Sequence, residues 1–490
     1  MTQEHGGPQD LAAIQEEVGL LWARVDRGEE VVLGENEQAR LVDGLFQLNP
    51  ATDKEFLATN LRYVTVPPSV VVDDGNLYYA RQDAEREGRL KYTRSKLEAG
   101  EWEEADFVYV ADIIRQGKIE RYFRELAQKY DSFSSVEDSQ VRLTIEQAVS
   151  EDLQAGKPVL VRSHWRMGSS SLIKAVTQRN FEGNSIVTDC QGFSYEEDTP
   201  IEVVGQTFAI WEIAKYIASK QISDPGLDGY DRVNAVERKI ESSGKTPAEF
   251  LNDFLAERGE TAILAVEEAV VFENPQRLQL IAQIKDLPNI KLMVMLHRIS
   301  AMEGVYSQVF EGFTSHYLQP VDLEEATMII RAPLEGSSIR FTDGAIKALY
   351  EASGGRPMEM NSLCQLLLDP SGGEKTHYVP RVIYDEASIR AMIDHVLKSN
   401  LMYDDGFLRN VGNNYEQIWY VGLGKEEKEL ITQIARDGIS FGEEVDAETI
   451  RPLIDLALVQ VEPDKKAYRV NGELLRAFIL KRSVTPRYYD

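Results

Sequence analysis

Four short segments rich in apolar residues, separated by stretches with helical spacing, constrain this chain more than any other feature. These segments lie at residues 158–162, 185–190, 261–266 and 290–296. A strand that is apolar without alternation is buried on both faces, as in a parallel sheet covered by helices. Residues 170–178 and 201–221 have the spacing of such helices. The sequence therefore predicts an α/β fold with functional sites at the carboxyl ends of its strands.

The chain has 490 residues, which corresponds to about three or four domains of ordinary size. Residues 1–128 mix helical and strand patterns and predict an α+β accessory domain of unknown role. Residues 129–310 contain the apolar strands and form the predicted core, and residues 311–400 have the spacing of a helical lid. Residues 401–490 run helix, helix, two-stranded ribbon and helix, an order typical of a winged-helix domain.

The charge balance limits the classes of partner. The chain has 53 basic and 81 acidic residues, a net charge of −28, and such a surface repels nucleic acid and anionic lipid. No run approaches the ~20 apolar residues of a membrane helix, and the first residues lack a signal-peptide pattern. Two cysteines, Cys190 and Cys364, cannot form a disulfide framework. We therefore expect a cytoplasmic protein without a membrane or nucleic-acid partner.

A polar turn between the first apolar run and the next helix is close to a phosphate-binding loop. The motif is Gly-x4-Gly-Lys-[Ser/Thr], and residues 163–170 keep Gly168 and Ser170 but place Ser163 and Ser169 at the first glycine and the lysine. The backbone N–H groups at the helix start can still hold an anion, and Ser170 can still reach Mg²⁺. Loss of the lysine should damage phosphoryl transfer more than binding. The alternative is a plain strand–turn–helix unit that never meets phosphate.

Two acidic residues end the third apolar run. In a phosphate-loop enzyme this position carries an aspartate for Mg²⁺, often followed by a glutamate that orients water. Here Glu267 occupies the aspartate position and Glu268 follows it. Glu267 is one methylene longer, so its carboxylate would crowd the metal or need a shifted backbone. The alternative is a surface acid pair that follows a buried strand.

A Gly-Lys-Thr sequence at residues 244–246 is a misleading match. It follows a charged stretch instead of a buried strand, and Thr246 precedes Pro247 and stands three residues before Glu249. This spacing is typical of a capping box with proline in the first helical turn, so we predict the start of a helix there.

Residues from about 130 to 482 resemble the STAND branch of P-loop ATPases, which is related to AAA+ and Orc/Cdc6-like proteins. The segment Arg166-Met-Gly-Ser-Ser-Ser-Leu172 is similar to that family's Arg-x-Gly-Lys-[Ser/Thr]-Ser-Leu. Residues 353–364 begin Ser-Gly-Gly-Arg-Pro and are similar to its lid signature Thr-Gly-Gly-x-Pro. The resemblance implies a parallel-sheet P-loop NTPase core, a helical lid and a C-terminal winged helix.

The resemblance also implies a site for ATP or ADP with Mg²⁺, weak or absent here because both motifs are degenerate. It assigns Mg²⁺ to Ser170 and Glu267, and water activation to Glu268 if the protein is active. Arg356 of the lid signature would contact a phosphate or pair with Glu359. The resemblance assigns nucleotide binding to Arg166, Gly168, Ser169, Ser170, Ser171 and Pro357.

Three functions follow as alternatives. The first is a catalytically inactive or nucleotide-sensing module, similar to inactive STAND modules of bacterial conflict systems, that acts through protein partners in signalling or anti-phage defence. The second is a working ATPase whose missing cation is replaced by Arg166, Arg162 or an arginine of a neighbouring subunit, which leaves oligomerisation open. The third is a DNA-binding regulator, which the many acids of residues 424–448 disfavour.

Overall fold

The computed structural model describes residues 11–46, 89, 92, 95–96, 101, 103–130, 142–163, 166–189, 210–220, 229–267, 281, 283–296, 308–369, 380–399, 408–440, 445–462 and 466–484. The helices are α1 Leu11–Asp26, α2 Glu35–Leu45, α3 Glu104–Lys129, α4 Leu143–Gln154, α5 Ser169–Asn180, α6 Ile210–Lys220, α7 Gly229–Ser242, α8 Pro247–Arg258, α9 Leu323–Arg331, α10 Asp343–Ser353, α11 Pro357–Leu368, α12 Glu386–Lys398, α13 Arg409–Gln417, α14 Lys425–Asp437, α15 Ala447–Asp455 and α16 Glu473–Val484. A 3₁₀ turn covers Ala332–Leu334, and α13 continues as a π-helix over Ile418–Gly422.

The strands are β1 Val159–Arg162, β2 Ser185–Asp189, β3 Ala262–Glu267, β4 Ile290–Leu296, β5 Thr314–Tyr317, β6 Arg340–Phe341, β7 Ile383–Tyr384, β8 Ile439–Ser440, β9 Val459–Glu462 and β10 Ala467–Val470. The chain divides into two compact units. One contains residues 1–135, 326–355 and 359–412, and the other contains residues 136–325, 356–358 and 413–490. The domain boundaries at residues 128, 310 and 400 stay predictions.

A parallel sheet with the order β2-β3-β4-β1-β5 forms the centre of the second unit. Its two faces use alternate residues of each strand, so Val159 and Val161 pack with α4 and α5 whereas Leu160 packs with α6, α7 and α8. Helices therefore cover both faces, which explains why the inner strands β1, β3 and β4 are mostly apolar. The predicted α/β fold with a parallel sheet covered by helices on both faces is confirmed.

The first unit joins the N-terminal helices to the helices of the predicted lid. Gln38 of α2 is fully buried, donates from Nε2 to the Ile383 carbonyl (2.7 Å) and accepts from the Val382 N–H (3.0 Å). The Glu30 carboxylate accepts from the Thr342 hydroxyl (2.8 Å) and from the Glu386 N–H (3.3 Å), at the starts of α10 and α12. The N-terminal segment thus shares hydrogen bonds with elements that lie about 300 residues further along the chain.

The C-terminal part of the second unit is built on a small antiparallel sheet with the order β8-β10-β9. Helices α14 and α15 precede its two longer strands, and α16 follows them. The helices and the β9–β10 pair follow in the predicted order, whereas β8 is a third strand that the sequence analysis did not predict. The assignment as a winged helix remains a proposal. Among the described helices, none is both long and apolar enough to cross a membrane.

The predicted helices agree with the structure where periodicity was strong. Apolar spacing in residues 323–331 and 357–368 predicts helices there, and α9 and α11 have these bounds. Helix α8 begins at Pro247 with Thr246 as its N-cap and the predicted capping box. The helix predicted over residues 201–221 is described from Ile210 to Lys220. Residues 61–66, where an apolar pattern before two prolines predicts a short strand, lie outside the described residues.

Candidate functional site

The described part of the turn between β1 and α5 consists of Ser163 and residues 166–168 and leads into a helix N-terminus. Gly168 has φ 91°, and its carbonyl accepts the Leu172 N–H (3.0 Å), so α5 begins directly after it. A Cβ at Gly168 would meet no atom within 4 Å, so lack of space is not the reason for glycine here. The positive φ is the reason, because residues with a Cβ rarely adopt it. The N–H groups of the first turn of α5 have no partner within the helix and can bind an anion.

The backbone strain of this loop lies at a different residue from the one expected. Because Ser163 replaces the first glycine of the motif, strain at a positive φ would be expected there. Ser163 is instead buried with ordinary backbone geometry, and its N–H donates to the Leu296 carbonyl (3.1 Å). Arg166 instead adopts the left-handed conformation (φ 65°), which costs a non-glycine residue about 1–2 kcal/mol. Arg166 is exposed and is the cation of the loop nearest to the start of α5.

Ser170 and Glu267 meet at the carboxyl edge of the sheet, as the two degenerate motifs predict. Glu267 has the same parity in β3 as Ile263 and Ala265, whose side chains pack with α5. Its side chain therefore points to the helix that carries Ser170, and the Ser170 hydroxyl donates to the Glu267 carboxylate. A hydroxyl and a carboxylate in contact supply oxygen ligands of the kind that Mg²⁺ uses.

Residues at the loop fit a phosphate and its metal only in part. The free N–H groups and the oxygens of Ser170 and Glu267 fit, but the position of the phosphate-binding lysine carries Ser169, which is 6% exposed. A serine has no positive charge to pair with a β- or γ-phosphate, and a hydrogen bond from a charged group contributes about 1.5–3 kcal/mol. The loop therefore keeps its backbone contribution and lacks its main ionic one.

Arg142, which is not among the residues predicted from the sequence, hydrogen-bonds to a backbone carbonyl of the loop. Its Nη2 donates to the Met167 carbonyl (3.0 Å), and its Nη1 donates to the Gln319 carbonyl after β5. Its backbone N–H donates to Glu325 Oε1 (2.7 Å). Burial lowers the pKa of the Arg142 guanidinium to about 10, although Glu325 and Asp322 oppose this shift, so the group stays charged at neutral pH.

Arg356 of the lid signature binds backbone carbonyls of the C-terminal sheet. Its Nη1 donates to the Asn471 carbonyl (2.9 Å), and its Nη2 donates to the Ala457 carbonyl (3.3 Å). The side chain is fully buried. The two partners considered from the sequence, a phosphate or Glu359, stay predictions.

The remaining predicted site residues are less tightly defined. Ser171 lies in the first turn of α5, and Pro357 is the first residue of α11, in the same unit as the loop. Arg162, a predicted substitute cation, donates from Nη1 to the Tyr317 hydroxyl (3.0 Å). Glu268 and Cys190 lie outside the described residues. The other cysteine, Cys364, is buried in the first unit.

Comparisons with known proteins give distant structural matches. No protein-family model matches the chain, and no relative was found among curated sequences. The RuvB Holliday junction branch migration motor of Thermotoga maritima is 12% identical, with 67% of this chain and 91% of that chain covered and a TM-score of 0.35.

A STAND protein with a tetratricopeptide repeat sensor from Pyrococcus horikoshii is 14% identical over 70% of this chain and 42% of that chain, with a TM-score of 0.28. A chain from the Drosophila ORC complex bound to AT-rich DNA and Cdc6 is 9% identical over 84% of this chain and 100% of that chain, with a TM-score of 0.23. Similarity of this degree does not establish a shared function.

Proposed function

We propose that this chain is a STAND-like P-loop module that has lost ATP hydrolysis and acts as a regulatory switch or scaffold through protein partners. One observation carries the proposal: a buried serine, Ser169, occupies the motif's lysine position directly after Gly168, whose positive φ precedes the start of α5. Without the lysine, the charge that develops on a transferring phosphoryl group has no ammonium to stabilise it. The direct contact between Ser170 and Glu267 leaves the metal-binding oxygens in place, so nucleotide sensing is compatible with the loss of turnover.

Calorimetry and turnover assays on the purified chain test this function. With ATP or ADP and Mg²⁺, we expect weak or absent binding and no hydrolysis. Ser169→Lys should tighten ATP binding by about tenfold or more, because a charge-assisted hydrogen bond of about 1.5–3 kcal/mol is restored. Gln178→Lys is the matched control, since it adds the same charge to an exposed position in the last turn of the same helix. Turnover by the wild-type chain that disappears in Glu268→Gln would show an active ATPase instead.

A working ATPase is the second candidate, and the position of Arg166 favours it. This exposed arginine lies in the loop, and its left-handed conformation is the strained feature there. If Arg166 supplies the missing charge, Arg166→Ala should abolish turnover and weaken ATP binding, whereas Arg179→Ala on the last turn of α5 should change neither.

The predicted nucleic-acid function is the weakest candidate on electrostatic grounds. Within the described part of the C-terminal region, the Arg451 side chain of α15 pairs with Asp455 (3.7 Å), and Arg469 of β10 pairs with Glu462 (3.5 Å). A basic side chain already paired with a carboxylate contributes little to phosphate binding. We therefore propose that this region docks a protein partner.

A further inference from the structure

A chain of hydrogen bonds runs from the loop to the C-terminal sheet within the second unit. Arg142 donates to the carbonyls of Met167 and Gln319. The Gln319 side chain in turn donates from Nε2 to the Asp455 carbonyl (2.5 Å), at the last residue of α15. Two side chains therefore connect the residue before Gly168 to the end of the helix that precedes β9.

The same turn after α15 is held from its other side by Arg356. The Ala457 carbonyl accepts from Arg356 Nη2 and from Asn471 Nδ2 (3.1 Å). Arg356 Nη1 donates to the Asn471 carbonyl, so its guanidinium joins the turn before β9 to the residue that follows β10. A buried guanidinium with two carbonyl acceptors fixes the relative position of these backbone segments.

Left-handed backbone conformations occur along this chain of hydrogen bonds. Arg142 has φ 68° and Ala457 has φ 52°, and both residues carry a Cβ that disfavours this conformation. Such residues persist only where surrounding contacts hold them in place. Loss of the contacts at one of these positions should therefore let the backbone relax, which would disturb the next hydrogen bond along the chain.

We propose that these hydrogen bonds, here called the Arg142–Arg356 network, couple the conformation of the loop to that of the C-terminal sheet. Its members are Met167, Arg142, Gln319, Asp455, Ala457, Asn471 and Arg356. Arg142, Gln319 and Arg356 act as positioning residues. This inference deepens the proposed function and rests on it for the role of the coupling, because a switch needs a route from its ligand loop to the surface that docks a partner.

Amide hydrogen exchange on the full chain without nucleotide tests the coupling. The reporter for the loop is the Leu172 N–H, bonded to the Gly168 carbonyl, and the reporters for the sheet are the N–H groups of Leu458 and Asn471. Arg142→Gln should speed exchange at all three by about tenfold, since it removes hydrogen bonds from a charged donor. Arg179→Gln, which removes an arginine paired with Glu146 on the same core, is the control and should leave them unchanged.

Gln319→Ala separates coupling from general destabilisation. It keeps the backbone carbonyl that Arg142 uses and removes only the bond to Asp455. Gln319→Ala should speed exchange at Leu458 and Asn471 and leave exchange at Leu172 unchanged. In the double variant, Arg142→Gln should cause no further acceleration at Leu458 and Asn471 beyond that of Gln319→Ala. Arg356→Lys should speed exchange at the same two sheet reporters.

Several outcomes would overturn the coupling. Acceleration at Leu172 alone in Arg142→Gln would show that Arg142 acts only on the loop. Equal acceleration in Arg142→Gln and Arg179→Gln, or additive effects of Arg142→Gln and Gln319→Ala at the sheet, would show independent local losses. If Arg142→Gln does not fold, an unchanged sheet in Gln319→Ala overturns the inference by itself. ATP turnover by the wild-type chain would refute the proposed function and leave these exchange results valid.

Discussion

Ser169 leaves the motif's lysine position without a positive charge, whereas two arginines, Arg142 and Arg166, carry charge close to the same loop. Arg166 points its charge to solvent, and Arg142 directs its guanidinium to the carbonyls behind the loop. Only a cation on the side of the N–H groups can pair with a bound phosphate. The motif comparison places Ser169 at the lysine position and assigns Mg²⁺ to Ser170 and Glu267, whose direct contact the structure adds. It does not reveal Arg142, because an arginine before a helix carries no local signal that it will bind a carbonyl 25 residues later.

Three buried acidic groups of the first unit predict a loss of stability at alkaline pH. Burial raises the pKa of the Cys364 thiol and of the Tyr130 and Tyr384 hydroxyls well above their usual values. In the unfolded chain these groups release protons near pH ~8.5 for cysteine and ~10 for tyrosine. Above those values the folded chain binds more protons than the unfolded chain, so the free energy of unfolding falls as the pH rises.

Urea unfolding between about pH 8 and about pH 9.5 measures this effect. We expect the free energy of unfolding to fall by about 1 kcal/mol, chiefly through Cys364, because each proton retained by the folded chain changes it by about 1.4 kcal/mol per pH unit. Cys364→Ala should lower stability at both pH values and flatten the dependence between them. A slope that persists unchanged in this variant would assign the effect to other groups.

At the scale of elements, α2 and β7 depend on a single side chain for their junction. Gln38 satisfies the Ile383 carbonyl and the N–H groups of Val382 and Ile383, all in a buried place. Gln38→Ala should lower the free energy of unfolding by about 2–3 kcal/mol, because it leaves buried backbone groups unpaired. Gln15→Ala on the exposed face of α1 is the matched control and should change it by less than about 0.5 kcal/mol. Equal effects of the two substitutions in urea unfolding would show that the junction contributes nothing specific.

The sequence predicts elements better than it predicts which elements pair. The buried runs predict β1 to β4 because continuous apolar strands belong to a parallel sheet, and the capping box predicts the start of α8. Residues 1–128 were expected to form an accessory domain, and this boundary stays a prediction. Gln38 of α2 hydrogen-bonds to Ile383 of β7, and Glu30, between α1 and α2, accepts from Thr342 at the start of α10. Gln38 and Ile383 are 345 residues apart, and no local pattern encodes a contact at that distance.

At the scale of the whole molecule, the net charge of −28 sets the field that a charged partner meets. The described surface of the C-terminal region adds to it, since Glu448 is exposed on α15 and the arginines there pair with Asp455 and Glu462. A protein that binds duplex DNA neutralises phosphates with free cations and releases counterions, so its affinity falls steeply with salt. This region offers the opposite arrangement.

We therefore expect no salt-sensitive binding of a short duplex, measured by fluorescence anisotropy between about 50 mM and about 200 mM salt. The double variant Asp455→Asn, Glu462→Gln removes the carboxylate partners of Arg451 and Arg469 and is the internal comparison. This variant should still bind the duplex weakly, because two cations neutralise only about two phosphates and the surrounding acidic residues repel the duplex. Wild-type binding that weakens with salt, with a slope of log affinity against log salt of about −2, would match phosphate contacts by these two arginines. If Arg451→Ala and Arg469→Ala removed that binding, the third function would be right and the protein-docking role of this region would be wrong.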